Sequence, residues 1–196
     1  MDGPTNQQVS KMKEINLDLE YLHNLNCLIA RVRVCSKSKQ MFGEFNKTVV
    51  AGGAVRDMLF NKPVKDIDVF YEGEVDDKKL EQYFTNVKST GNSYPDGFNV
   101  THTLAHKDFP VPIQLIQVKN IEEHIKTFPS LMMRVSVDSN GIHGMDSSLF
   151  SDAQVQEFCW DIKPDLFYFL KIKEKYNDWK HVFMEEDMNP EVELEF

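Results

Sequence analysis

Two aspartates one residue apart, Asp66 and Asp68, follow a pair of adjacent glycines, Gly52 and Gly53, in the stretch VVAGGAVRDMLFNKPVKDIDVF from Val49 to Phe70. Each part has a chemical use. Glycines let a backbone come close to a ligand, and free N–H groups at a helix start favour an anion such as phosphate. Arg56, in the first turn after the glycines, carries a planar fork of donors suited to phosphate oxygens. On a strand, residues two apart project to the same face, so Asp66 and Asp68 are expected to present their carboxylates together, with Ile67 turned away. Hard oxygen ligands beside a phosphate cradle are what Mg²⁺ takes. Two such ions about 4 Å apart activate an attacking hydroxyl and hold a leaving pyrophosphate. Singly, each part is usually bland. A Gly-Gly turn is mostly packing, a lone DxD mostly a solvated strand end, and an Arg-Asp neighbour pair mostly a surface ion pair. Their joint occurrence between two apolar strands points to a site.

The elements that must hold these residues are visible in the hydrophobic pattern. Residues 1–12 are polar and read as disordered. Ile15, Leu19, Leu22, Leu25, Ile29 and Val32 recur every three or four residues, which predicts a helix from Glu14 to about Val34. Ser36–Lys47 is a polar connection. Thr48–Ala51 reads as a buried strand breaking at the glycines, Ala54–Phe60 as a helix stopped by Asn61-Lys62-Pro63, and Ile67–Tyr71 as a second strand. The pattern then predicts a helix over Asp76–Asn86, a turn-rich loop over Gly91–Gly97, a hairpin of Phe98–Ala105 and Val111–Val118, and a helix over Ile121–Phe128. Leu131–Val137 and Gly141–Met145 read as strands, and Asp152–Cys159 and Pro164–Phe183 as helices. The sum is a mixed α/β (α+β) fold, a mixed β-sheet with flanking helices. The chain is expected to divide into a disordered start (1–12), a main domain (13–155), a helical extension (156–184) and an acidic tail (185–196).

GGAVRD followed by KDID resembles the head-domain signature of the class II CCA-adding tRNA nucleotidyltransferases and bacterial poly(A) polymerases, members of the polymerase β superfamily. Gly52, Gly53, Ala54, Val55, Arg56 and Asp57 match the first element, and Lys65, Asp66, Ile67 and Asp68 the second. The strong match covers about a tenth of the chain, and the element order extends it more loosely to Val118. The resemblance implies a nucleotidyltransferase head. In it a nucleoside triphosphate is cradled by Gly52 and Gly53, with Arg56, Asp57 and Lys65 at the nucleotide site and Asp57 bracing the loop by a cap or an ion pair. Asp66 and Asp68 are the implied catalytic pair holding Mg²⁺ or Mn²⁺. The implied reaction is attack by an acceptor hydroxyl (of an RNA end, a small molecule or a protein) on the α-phosphate, with release of pyrophosphate.

Two departures qualify the activity. The family places a third acid on a later strand facing the pair, and here that position reads as Gln114, in Val111–Ile116. Glutamine coordinates a metal weakly and cannot act as a general base. Asp108 lies six residues earlier and is a poor substitute. The family's base-selecting EDxxR pattern is also absent, and only about 40 residues follow the plausible head, so CCA addition to tRNA is not expected. A second expectation stands beside the enzyme. It is a catalytically weak or inactive protein of this fold that binds a nucleotide or a protein partner, in a bacteriophage or toxin–antitoxin defence setting.

Composition excludes other classes. No apolar run approaches the ~20 residues that span a bilayer, and MDGPTNQQVSKMKE lacks a signal peptide's apolar core. A cytoplasmic protein without a membrane partner is expected. Cys27, Cys35 and Cys159 show no metal-ligand spacing. The net charge is −9, but the last twelve residues carry six acids and no base, leaving the remainder near neutral. A broad nucleic-acid surface is therefore not supported. Two basic clusters, Arg31/Arg33/Lys37/Lys39 and Lys171/Lys173/Lys175/Lys180, read as wet faces. His102 and His106 read as surface histidines without a third ligand. The aromatic run Leu166–Phe169, with Trp160 and Trp179, reads as a helix face closing the core rather than a base-stacking platform. Ser147 and Ser148 sit in no hydrolase motif, and no Walker A or dinucleotide fingerprint occurs.

Overall fold

The computed structural model describes residues 18–37, 47–93, 99–144, 156–185 and 188–190. The expectations for residues 1–12, for Ser147 and Ser148, and for most of the acidic tail lie outside these residues. So do parts of the helices expected from Glu14 and Asp152.

Helix α1 (Leu19–Val34) starts where Asp18 accepts a hydrogen bond from the Tyr21 N–H at 2.9 Å. It buries Leu25, Leu28, Ile29 and Val32 along one stripe. Strand β1 (Thr48–Ala51) runs into helix α2 (Gly53–Leu59), and β2 (Ile67–Tyr71) follows it. These three elements match the sequence expectation closely, because buried β-branched runs and a Gly-Gly break are local signals. Helix α3 (Asp77–Tyr83) is shorter than the expected Asp76–Asn86. Asp76 caps it, and from Thr85 the chain turns into strand β3 (Thr85–Ser93). Residues through Ser93 are therefore strand, not part of a turn-rich loop. The run Thr85-Asn86-Val87-Lys88 has weak helical periodicity, and pairing with β4 decides its state.

The expected hairpin is present as β4 (Asn99–His106) and β5 (Phe109–Gln117), followed by helix α4 (Ile121–Lys126). The expected strand over Leu131–Val137 is a 3₁₀ turn at Leu131–Met133 and a short strand β6 (Ser136–Asp138), which pairs with β7 (Gly141–His143). The described part of the helix expected over Asp152–Cys159 is instead strand β8 (Glu157–Trp160). The helix expected over Pro164–Phe183 is α5 (Leu166–Lys175) alone. Tyr176 leaves helical geometry, and Lys180–Phe183 form β9, which pairs in parallel with β8. Aromatic periodicity suits a buried helix and a buried strand alike, so only the pairing tells them apart.

Seven strands form one mixed sheet in the order β3-β4-β5-β2-β1-β6-β7. β2 and β5 are parallel; the other neighbours are antiparallel. The larger core lies on the face carrying Ile67, Val69, Ile113 and Leu115, where α1, α2 and α5 pack. The opposite face carries a smaller cluster of Phe70, Ile116 and Val118 under Ile121 of α4. β8, α5 and β9 join the larger core through Phe158, Trp160, Phe169 and Tyr176, all at most 1% exposed. Among the described residues no helix is long and apolar enough to cross a membrane.

Because Trp160 belongs to the same core as β2, its loss is expected to weaken the whole fold. Trp160→Ala should cost about 3–5 kcal/mol, with one urea transition followed alike by fluorescence and circular dichroism. Two separated transitions would mean that the C-terminal segment unfolds on its own.

Candidate nucleotide and metal site

The turn from β1 to α2 depends on Gly52, whose φ of +77° is a region that side chains rarely tolerate. Space is not the constraint there. A Cβ on Gly52 would meet the Phe128 ring at 3.6 Å, and one on Gly53 would meet Nη2 of Arg56 at 3.7 Å. The guanidinium of Arg56 therefore lies against the glycine turn.

Arg56 and Asp57 are almost completely buried, at 3% and 2% exposure. Nη2 of Arg56 pairs with Oδ1 of Asp57 at 2.7 Å, and Nε donates to the same oxygen at 2.8 Å. Nε also donates to the Tyr176 hydroxyl at 3.1 Å, which in turn donates to Asp57 at 2.8 Å. Lys175 pairs with the other carboxylate oxygen. Burial works against the Arg56 charge, but Tyr176 and Asp57 outweigh it, and the guanidinium is held above its ordinary range. Its Nη1 is buried with no hydrogen-bond partner among the described residues.

Asp66 stands in the loop one residue before β2, and Asp68 is the second residue of that strand. Both are half-buried, and Lys65 beside them is exposed. In the parallel pairing Asp68 lies opposite Gln114 of β5, which lies opposite Thr103 of β4, which lies opposite Lys88 of β3. Paired residues share a face, so a polar row crosses the sheet from Asp68, and its first neighbour is an amide. Burial, then the charge of Asp66, pushes the Asp68 carboxyl up to about 7, and Lys171 of α5 pulls it partly back. Asp66 opposes the ionisation of Asp68, and a divalent cation held by these hard oxygens would relieve that opposition. Among the described residues no group of three or more His, Cys, Asp or Glu side chains could hold a metal.

Other candidates lie elsewhere. Asp108 sits in the β4–β5 turn, about 20 Å along the strand from Gln114, and pairs with Arg31 of α1 at 3.4 Å. His102 is not a surface residue. It is 6% exposed and pairs opposite Leu115 on the larger-core face, away from Asp68, with Asp77 at 3.4 Å. His106 accepts the Asp108 N–H at 3.2 Å. A cavity of about 170 Å³ near Asp18, Tyr21 and Lys62 opens beyond the far end of α2, behind Asp57. In the basic clusters Arg31, Lys175 and Lys180 are ion-paired, and Lys171 is exposed. Sequence reading missed Lys175 and Tyr176 as neighbours of the motif. Their only signal was a lysine-rich helix far downstream.

A family model described as "Gabija anti-defense 2 family protein" matches residues 26–131, more than half of the chain. The chain belongs to the Gabija anti-defense 2 family. That match includes both glycines, Arg56, Asp57, Asp66, Asp68 and Gln114. No curated protein sequence matches the chain. Among solved structures it is similar to a tRNA-processing enzyme in an apo form, at a TM-score of 0.59 and 16% identity over 87% of this chain and 47% of that one. An apo CCA-adding enzyme gives a TM-score of 0.53 at 15% identity, over 95% and 45%. A CCA-adding enzyme in complex with CTP gives 0.52 at 14% identity, over 90% and 45%. This family member thus has a nucleotidyltransferase-like fold, and it spans a little under half the length of those enzymes.

Two substitutions test the electrostatics. Asp57→Ala would leave Arg56 buried beside a second cation, and should cost about 3–5 kcal/mol in urea unfolding. Asp68 keeps its proton to about pH 7 in the fold but only to about pH 4 in the unfolded chain. The metal-free protein therefore loses stability as pH rises through that window. Asp68→Asn should abolish this loss and be the more stable protein by about 4 kcal/mol at pH 8, with no difference below pH 4. Parallel pH–stability curves for the two proteins would refute the assignment.

Proposed function

We propose that the protein transfers a nucleoside monophosphate from a nucleoside triphosphate to an acceptor hydroxyl, in a counter-defence setting that its family's name suggests. The observation that carries this reading is the meeting of three features: a positive-φ glycine turn, the buried Nη1 of Arg56 beside it with no partner among the described residues, and an Asp68 carboxyl whose ionisation Asp66 opposes. Gly52 and Gly53 give backbone access to the phosphates, Arg56 offers its spare donor, and Lys65 adds an exposed cation. Asp57 serves the site by holding Arg56 in place. Asp66 and Asp68, aided by the Gln114 amide, would hold Mg²⁺ or Mn²⁺, which supplies charge neutralisation at the phosphates.

In the proposed reaction the acceptor oxygen bonds to the α-phosphorus, the bond to the β-phosphate bridge breaks, and pyrophosphate leaves. The hydroxyl proton passes to solvent, because Gln114 cannot accept it. The CTP-bound relative lends support for a nucleotide at this site. The acceptor is read as a protein or RNA hydroxyl of the opposed defence system.

Gln114 favours a second reading, in which the site binds a nucleotide without turning it over. Incubation with Mg²⁺ or Mn²⁺, each α-labelled triphosphate and reconstituted Gabija components separates the two. Transfer of label that Asp66→Asn/Asp68→Asn abolishes supports the enzyme. Counter-defence activity that survives this double substitution, with no label transferred by the wild type, supports the binding protein.

A further inference from the structure

The sheet face that carries Asp68 changes character between two neighbouring rows. Phe70 of β2, Ile116 of β5 and Val100 of β4 are buried there, at 4%, 4% and 6% exposure, in one cluster with Ile121 of α4. One row nearer the start of β2, the same strands carry Asp68, Gln114 and Thr103, and β3 adds Lys88. The first three are half-buried and Lys88 is exposed. Neighbouring strands stand about 4.8 Å apart, so three steps take the row about 14 Å from Asp68 to Lys88. Among the described residues none of Gln114, Thr103 and Lys88 makes a side-chain hydrogen bond or ion pair. Polar side chains without partners are ordinary on a wet sheet face. These three stand in register, in one line, and the line ends at the paired aspartates.

We infer that this row is the acceptor-binding surface, and that the acceptor is a Ser, Thr or Tyr hydroxyl of an extended polypeptide segment with an acidic residue about four positions away. This rests on the nucleotidyl transfer proposed above and names its acceptor. Gln114 and Thr103 each offer a donor and an acceptor, which suit the N–H and C=O of a peptide group. Lys88 offers a charge for a carboxylate. An extended chain rises about 3.3 Å per residue, so a hydroxyl held at Asp68 brings a residue about four positions along to Lys88. RNA fits the row less well. It carries a phosphate at every nucleotide, and the row has one cation and starts from two acids. Bases also want rings to stack on. The exposed aromatics Tyr83 and Phe167 stand on α3 and α5, whose buried Leu80 and Phe169 belong to the larger core on the other face. Phe167, at 81% exposure, departs from the expectation that the whole aromatic run closes the core. In the transfer the side-chain oxygen bonds to the α-phosphorus and the bond to the bridging oxygen breaks. Pyrophosphate leaves, and the hydroxyl proton passes to solvent.

Fluorescence polarisation of labelled peptides tests the surface without any nucleotide, and α-labelled triphosphates with Mg²⁺ test transfer to the same peptides. Each peptide holds a central threonine in a Gly/Ala/Gln background, with one aspartate two, four or eight positions away on either side, or a lysine in its place. A short oligoribonucleotide is the RNA arm. The proteins are the full chain as wild type, Lys88→Glu and Thr103→Val. Lys88 is exposed and valine matches threonine in shape, so melting curves like that of the wild type are expected. The wild type should favour aspartate at four positions over aspartate at eight by roughly 2- to 5-fold, the size of one exposed ion pair. Lys88→Glu should turn that preference to lysine. Thr103→Val should weaken every peptide by roughly 2- to 10-fold. Peptide binding that is absent, indifferent to the place of the aspartate or unchanged in Lys88→Glu overturns the surface. So does label that passes to the oligoribonucleotide and to no peptide, which would make the acceptor RNA. Binding with the expected Lys88 dependence but no label on any acceptor keeps the docking surface and overturns the transfer reading.

Discussion

The buried pair of Arg56 and Asp57 is the constraint on which the rest of the arrangement depends. A guanidinium at 3% exposure is tolerable only if its charge is answered on the spot. Asp57 answers it from the adjacent position, but one carboxylate then faces two cations, Arg56 and Lys175. The Tyr176 hydroxyl bridges them by accepting from Arg56 and donating to Asp57. Both Lys175 and Tyr176 come from the end of α5, more than a hundred residues later. The glycine turn at the start of α2 is therefore held in place by the C-terminal part of the chain. Truncating that part would expose an ion pair as well as a hydrophobic face.

The electrostatics of the other half of the site run in the opposite direction. Around Arg56 every neighbour favours the charged form except burial. Around Asp68 burial and Asp66 both oppose the charged form, and only Lys171 favours it. The first centre is satisfied among the described residues except for a single N–H, and the second is not. The two differ in this although both draw on aspartates of one short motif.

Gln114 gives the same contrast a functional edge. It occupies the register position beside Asp68 across the only parallel contact of the sheet. An amide there adds no third negative charge beside Asp68, whose ionisation Asp66 already opposes. That lowers the electrostatic cost of the metal-free fold and removes a proton acceptor. Ligand binding and turnover are thereby uncoupled as design questions, which is why the two functional readings differ in chemistry and not in fold.

The stretch from Val49 to Phe70 was legible from sequence because its signals are local. Strand β1, the glycine break, α2 and β2 follow from hydrophobic runs, a positive φ that glycine meets, and a proline stop. The hairpin of β4 and β5 and the register position of Gln114 follow from alternation in the same way. The sequence alone therefore determined the fold class and the candidate residues Gly52, Gly53, Arg56, Asp66 and Asp68. Tertiary contacts decided the rest. β8 and β9 read as helix until their mutual pairing made them strands, and Thr85–Ser93 became a strand only against β4. His102 is buried in alternation with Val100 and Leu104 of β4. Above all, only the folded chain could bring Lys175 and Tyr176 to Asp57. Hydrophobic periodicity reports which face of an element is buried; it carries no information about which distant charge that face will meet.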